Sequence, residues 1–260
     1  MTLPLPNLQQ LVVFLMLFTR VLGVFVSAPI FGARAIPSRV KIMFTIILAY
    51  IFYSLFVGSE SFNFQEFTYL NVLMILINEL LLGILIGFIS LLIFGIVQFC
   101  GSIIDVMSGM HMASILDPLT REQQSLLGQF QYILTILLFL VFDGHHYIIH
   151  ALYYSFKIIP LGAITFLKFS PEAFLKVFSN IFLVGLQLSA PVIAILFLID
   201  FSLGVIAKGV PQMNVFMTGA PLKGLVAFIS LFICLIYFGA FFNKIPKLTF
   251  DNIIYVLRSL

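Results

Sequence analysis

The side chains that could do chemistry in this 260-residue sequence are few, and most of their arrangements miss a geometric requirement. His146 and His150 stand one helical turn apart, with Asp143, Gly144 and His145 just before them. A zinc protease needs H-E-x-x-H, two imidazoles on one helical face with a glutamate as general base, and here Tyr147 follows His146 instead. No second cluster completes a tetrahedral set, so these histidines read as interfacial groups and not as a metal site. Cys100 and Cys234 each lie inside apolar sequence and read as small buried side chains, neither a disulfide nor a metal pair. There is no G-x-S-x-G elbow and no G-x-x-x-x-G-K phosphate loop ending in Ser or Thr. The sequence predicts no enzyme, no cofactor and no metal.

Three charges remain, each set in apolar surroundings: Arg20, Glu79 and Asp200. An ionised side chain near a bilayer centre costs roughly 2.5–3.5 kcal/mol on insertion scales, so each must be paired or wetted. Two readings stand. The three charges pair between helices, with Arg20 and Glu79 as expected partners, or they line a proton or substrate path. Glu79 shares a helical face with Gly83 and Gly87, spaced four apart. The two glycines form a small-xxx-small step at which a second helix can approach closely.

Charged residues make up 9% of the chain and hydrophobic ones 62%, where a soluble domain carries about 25% charge. Stretches without Asp, Glu, Lys or Arg run through 42–59, 80–104, 123–142, 177–199 and 224–243, and a further run, 8–33, is interrupted only by Arg20. A helix needs about 20 residues to cross a bilayer. The expectation is an all-α polytopic membrane protein of about six hydrophobic helical segments, one membrane domain over 1–260. A membrane β-barrel would alternate in segments of about ten residues, and these runs are continuous Leu, Ile, Phe and Val. Residues 1–10 lack a basic region, so no cleaved signal peptide is expected; a net charge of +3 is too small to imply a nucleic-acid partner, and no basic run exists to carry one.

Orientation resists the positive-inside argument. With six alternating spans, Arg34, Arg39, Lys41, Arg121, Lys208 and Lys223 fall on one side, and Lys157, Lys168, Lys176, Lys244, Lys247 and Arg258 on the other. This tie points to hairpins or broken helices among the spans; cysteine-accessibility mapping that found six clean crossings would remove that reading. Gly23, Pro29 and Gly32 punctuate the first span, Pro191 and Gly204 the fifth. Such residues serve either as packing kinks or as breaks around a transport path. Val26-Ser27-Ala28-Pro29 returns as Leu188-Ser189-Ala190-Pro191, compatible with two related halves. Between the third and fourth spans, Asp105–Gln124 carries Met107, Met110, Met112, Ile115 and Leu116 ahead of an Asp117-Pro118 turn. It reads as an interfacial helix and turn, or as a re-entrant plug.

The order of motifs then resembles the FliR family of flagellar type III export-gate components. The residues that carry the resemblance are Phe18–Gly23, Ala28–Gly32, Ile36–Lys41, Glu79 with Gly83 and Gly87, Asp117-Pro118, Phe142–His145, Ser155-Phe156, Pro160–Gly162, Ala190-Pro191, Pro211–Phe216 and Pro221–Lys223, spread over about 15–240. The resemblance implies a FliP-like part at about 8–165 and a FliQ-like part at about 172–245, folded as kinked helical hairpins in an export-gate assembly. It implies FliP, FliQ and FlhB as partners, unfolded flagellar subunits as substrate, and the inner membrane at the flagellar basal body as location. It also makes Ser108, Gly109, Met110, His111, Met112, Ala113, Ser114, Ile115, Leu116, Asp117 and Pro118 a pore plug. Pro29, Gly83, Gly87, Pro191, Pro211, Pro221 and Lys223 become helix-break and packing positions. Residues 119–124 are more charged than a plug tip should be. The related reading is the equivalent subunit of a virulence injectisome, and a reading of another class is a secondary transporter using Arg20, Glu79 and Asp200.

Overall fold

The computed structural model describes residues 8–33, 35–56, 69–110, 125–163, 170–209 and 215–260. The helices are α1 (Leu8–Ser27), α2 (Ser38–Phe56), α3 (Tyr69–Ser108), α4 (Leu126–Val141), α5 (Gly144–Ile158), α6 (Pro171–Gly209), α7 (Val215–Phe242) and α8 (Ile245–Arg258). No strand occurs among the described residues. Lipid offers the backbone no hydrogen-bond partner, and a helix satisfies its own N–H and C=O groups. Among the described residues, α1, α2, α3 and α6 are each long and apolar enough to cross a membrane. The pair α4 and α5, bent by 71°, makes a fifth only if the two helices form one span, and α7 carries a shorter apolar segment, Gly219–Ile233. The chain is an all-α polytopic membrane protein.

Charge does not set the helix ends that hydropathy marks. α3 runs for 40 residues, through Asp105, and α6 for 39 residues, through Asp200. At 1.5 Å per residue each is roughly 60 Å long, about twice a hydrocarbon core. An acidic residue does not stop a helix if its carboxylate finds a partner, and both find one.

The two Ser-Ala-Pro echoes end differently. Ser27 donates to the Gly23 carbonyl (2.8 Å) and Ser189 to the Gly185 carbonyl (3.2 Å), so the repeat is longer than sequence alone marked: Gly-x-x-x-Ser-Ala-Pro. α1 stops at Ser27, placing Pro29 and Gly32 in the turn beyond the helix and not inside the span. There Gly32 donates to the Ala28 carbonyl (2.7 Å), and a Cβ on Gly32 would lie 2.6 Å from the Val26 carbonyl oxygen. Phe31 folds back onto Phe25, ring centroids 4.6 Å apart. Pro191 instead stays inside α6, where apolar residues follow and no glycine comes before Gly204.

Packing divides the chain into two compact units, Met1–Leu91 with Gly144–Val177 and Lys247–Leu260, and Leu92–Asp143 with Phe178–Pro246. In the first, Met16, Leu17, Val21 and Val24 of α1 are buried with Leu82 and Ile86 of α3 and Leu152 and Phe156 of α5. α2 packs on α1 yet turns Met43, Phe44, Ile47 and Tyr50 outward, each more than half exposed. That is the expected face of a helix whose solvent is hydrocarbon. In the second unit, Phe94 meets Phe139 edge-on at 5.2 Å, and Cys100 is buried beside Gly185. The Cys234 side chain lies outside the described residues.

Candidate functional site

The first unit is organised around one buried charge centre. Arg20, in the middle of α1, donates from Nε to Glu79 Oε2 of α3 at 2.5 Å, with both side chains fully buried. Its Nη1 donates to the Ile159 carbonyl (3.1 Å) and to Ser155 Oγ of α5 (3.4 Å). The guanidinium lies 4.4 Å from the Phe156 ring centroid, a cation–π contact. Glu79 Oε1 accepts from the Gly162 amide at 3.0 Å, and neighbouring Asn78 donates to the Ala163 carbonyl at 2.7 Å. Gly162 has φ +82°, a left-handed conformation that glycine adopts without a Cβ penalty and that turns its N–H toward the carboxylate.

Both oxygens of Glu79 are therefore engaged, and the pair joins α1, α3, α5 and the turn after α5. Charges taken out of water gain from one another only with good geometry and further hydrogen bonds, and this pair has both. Arg20 Nη2 is buried without a hydrogen-bond partner among the described residues, a residual cost inside the centre. The arrangement is that of a helix-to-helix staple.

The glycines set its distance. A Cβ on Gly83 would run into the Arg20 carbonyl, one on Gly87 into Ser27 Oγ, and one on Gly23 would lie 2.5 Å from the Leu80 carbonyl oxygen. Gly23, Gly83 and Gly87 thus bring the backbones of α1 and α3 into contact, and that approach delivers Arg20 to Glu79.

Asp200 does not belong to this centre. It forms an ion pair with Lys223 in the second unit, where its side chain is 40% exposed and that of Lys223 20%. Pro221 lies within α7. Ser108 closes α3, and Gly109 (φ +78°) and Met110 follow it. The rest of the expected plug, His111–Pro118, lies outside the described residues, as does Pro211.

Sequence reasoning missed several members of these contacts. Ser155 and Gly162 entered it only as motif positions, although a buried arginine requires acceptors and a carboxylate requires donors. In the sequence, Asp105 reads as the start of the segment between the third and fourth spans. It is 2% exposed, and its Oδ2 accepts from Ser125 Oγ (2.5 Å) and from the Leu127 amide (3.0 Å). Ser125 is the N-cap of α4, accepting from the Gly128 amide at 2.8 Å. A serine directly before an apolar run is a helix-start signal that marks this end of the contact.

Fold and centre together define a multi-pass helical membrane protein built on a buried ion pair and a glycine seam. The chain belongs to the bacterial export proteins, family 1, which matches it over residues 11–248. It is 36% identical over 243 residues to the flagellar biosynthetic protein FliR of Bacillus subtilis (strain 168), covering 92% of each chain. It is 30% identical over 203 residues to the FliR protein of Escherichia coli (strain K12), covering 78% of this chain and 76% of that one. To the surface presentation of antigens protein SpaR of Shigella sonnei it is 28% identical over 238 residues, covering 89% and 90%.

Proposed function

We propose that this chain is the FliR-type component of the flagellar export gate, joining FliP and FliQ, with FlhB as a further contact, in the pore through which unfolded flagellar subunits cross the inner membrane. The observation that carries this is the 36% identity to a flagellar biosynthetic protein over 92% of both chains, set on an all-α polytopic fold. In this reading 8–165 is FliP-like and 172–245 FliQ-like, and the protein sits at the flagellar basal body. It is a conduit and not an enzyme; the sequence carries no phosphate-binding loop, so energy comes from other parts of the machine. The injectisome reading has one observation in its favour, the 28% identity to SpaR, and the higher flagellar identity ranks it second.

Between substrates, Ser108–Pro118 plugs the bore. Methionine is unbranched and polarisable and fills irregular apolar gaps, which suits Met110 and Met112 to closing a bore that a peptide must later traverse. Deleting 108–124 should make the assembled gate leak ions in proteoliposomes; unchanged permeability rules the plug out. The assembly itself is tested by affinity capture from gently solubilised inner membranes. Recovery of FliP and FliQ in one large complex is expected. A monodisperse chain from cells that express both would overturn the gate reading.

A further inference from the structure

α8 is too short to cross a bilayer: its 14 residues make about 21 Å, against a hydrocarbon core of about 30 Å. It is also two-faced. Ile245, Thr249, Ile253 and Val256 are buried, while Lys247, Asp251 and Arg258 are exposed. A helix of this kind lies in the membrane interface, where tyrosine also collects. Interfacial pairs surround it in the same unit: Lys157 stands 4.7 Å from the Tyr153 ring centroid and Lys176 5.4 Å from that of Tyr255.

Between α8 and α5 runs an open groove of about 530 Å³, the size of a small-ligand site. Lys247, Phe250, Asp251, Ile254 and Arg258 form its α8 wall, spaced as one helical stripe. Tyr147, His150, Tyr154 and Ile158 form the α5 wall, again as one stripe. Phe250 joins the two walls, its ring centroid 5.6 Å from that of His150, 5.8 Å from Tyr154 and 6.3 Å from Tyr147. Among the described residues, none of Lys247, Asp251 and Arg258 has an ion-pair partner. A second groove, about 360 Å³, shares Tyr147 and His150 with the first and is otherwise walled by Phe52 of α2 and by His146, Ile149 and Tyr153 of α5. The first groove is charged and the second mainly aromatic and aliphatic, and they meet along one edge of α5.

We propose that the two grooves together bind one anionic phospholipid. Lys247 and Arg258 attract its phosphate, Asp251 between them accepts a headgroup hydroxyl, and an acyl chain lies along Phe52, Ile149 and Tyr153. A free phosphate would use only the first groove and a bare acyl chain only the second; an amphiphile uses both. Two cations against one carboxylate select a headgroup of net negative charge. The carboxylate selects one that carries hydroxyls, so a glycerol headgroup fits best.

The sequence contains no tryptophan, so Tyr154→Trp places a single indole in the first groove. The full-length chain, reconstituted in phosphatidylcholine bilayers, is titrated with bromine-labelled phosphatidylglycerol or phosphatidylethanolamine, and quenching gives the affinity of each relative to the host lipid. An interfacial lysine or arginine contributes about fivefold to the binding of an acidic lipid, so phosphatidylglycerol should be preferred about 25-fold. Lys247→Gln and Arg258→Gln should each reduce that preference about fivefold, and the double variant should abolish it. Lys247→Arg should keep it. Lys176→Gln removes the same charge outside the groove and should change nothing. Tyr147→Trp, on the same wall, repeats the measurement as a second reporter. Equal losses in Lys176→Gln and Lys247→Gln would mean general surface attraction and overturn the site. Phosphatidylethanolamine bound as tightly as phosphatidylglycerol overturns the anionic assignment and leaves the groove to a zwitterionic lipid or a partner chain. Displacement of phosphatidylglycerol by soluble glycerol phosphate overturns the amphiphile and leaves a phosphate site alone.

Discussion

Replacing Glu79 by alanine should reduce assembled protein in the membrane by about a hundredfold, because it leaves a buried arginine with a stranded charge. A lone charge at that depth costs roughly 2.5–3.5 kcal/mol, and 1.4 kcal/mol is a factor of ten. Arg20→Ala should do comparable harm from the other side, since among the described residues Glu79 would keep only the Gly162 amide. The double variant Arg20→Met, Glu79→Leu removes both charges and should be better tolerated than either single change. A double-mutant cycle on the melting temperature of the purified complex measures the coupling. If the double variant loses as much as both single changes added together, the pair does not act as a unit. Reversal of both charges should restore only part of the loss. The Gly162 amide can serve only an anion or other acceptor, and the Ile159 carbonyl only a donor, so the surroundings distinguish the two ends of the pair.

The second large effect is steric. Gly83→Ala places a methyl group against the Arg20 carbonyl, a backbone atom that cannot rotate aside, so α1 and α3 must separate. Overpacking of this kind costs about 1–3 kcal/mol, and separation also draws Arg20 away from Glu79. Gly83→Leu should prevent assembly altogether. Gly95, an exposed glycine of α3 with nothing within 4 Å of an added Cβ, is the control. Gly95→Ala should be neutral or stabilising by up to about 1 kcal/mol, the helix-propensity gain. Equal melting temperatures for the two alanine variants would show that the seam does not set the helix spacing.

Both effects centre on residues that sequence reasoning could single out, for reasons of different strength. Arg20 and Glu79 stand out because hydrocarbon does not solvate an ion, so a charge inside an apolar run demands a partner. Gly83 and Gly87 stand out because their spacing places them on one helical face. Gly23, the other side of the seam, read only as punctuation, since nothing in one helix specifies which helix faces it. Asp105 was hidden for another reason. A carboxylate at the end of an apolar run looks like an interfacial charge until the N-terminus of α4 arrives beside it. The Ser-Ala-Pro repeat was legible, but its two outcomes were not. The residues after each proline, and what they pack on, decide whether the helix stops at Ser27 or continues through Pro191.

The amino-acid sequence by itself determined the solvent and the architecture that solvent allows. With 9% charge and long uncharged runs, this chain can only be a membrane protein, and continuous apolar runs make it helical. It also determined which positions could not stand alone. Tertiary structure decided the partners. The Arg20–Glu79 centre is assembled across sequence separations of 59, 83, 135 and 139 residues, partly from backbone groups that every residue possesses. Periodicity and composition report a segment's surroundings over a few turns. Which carbonyl or amide closes a hydrogen bond is settled only when distant helices pack.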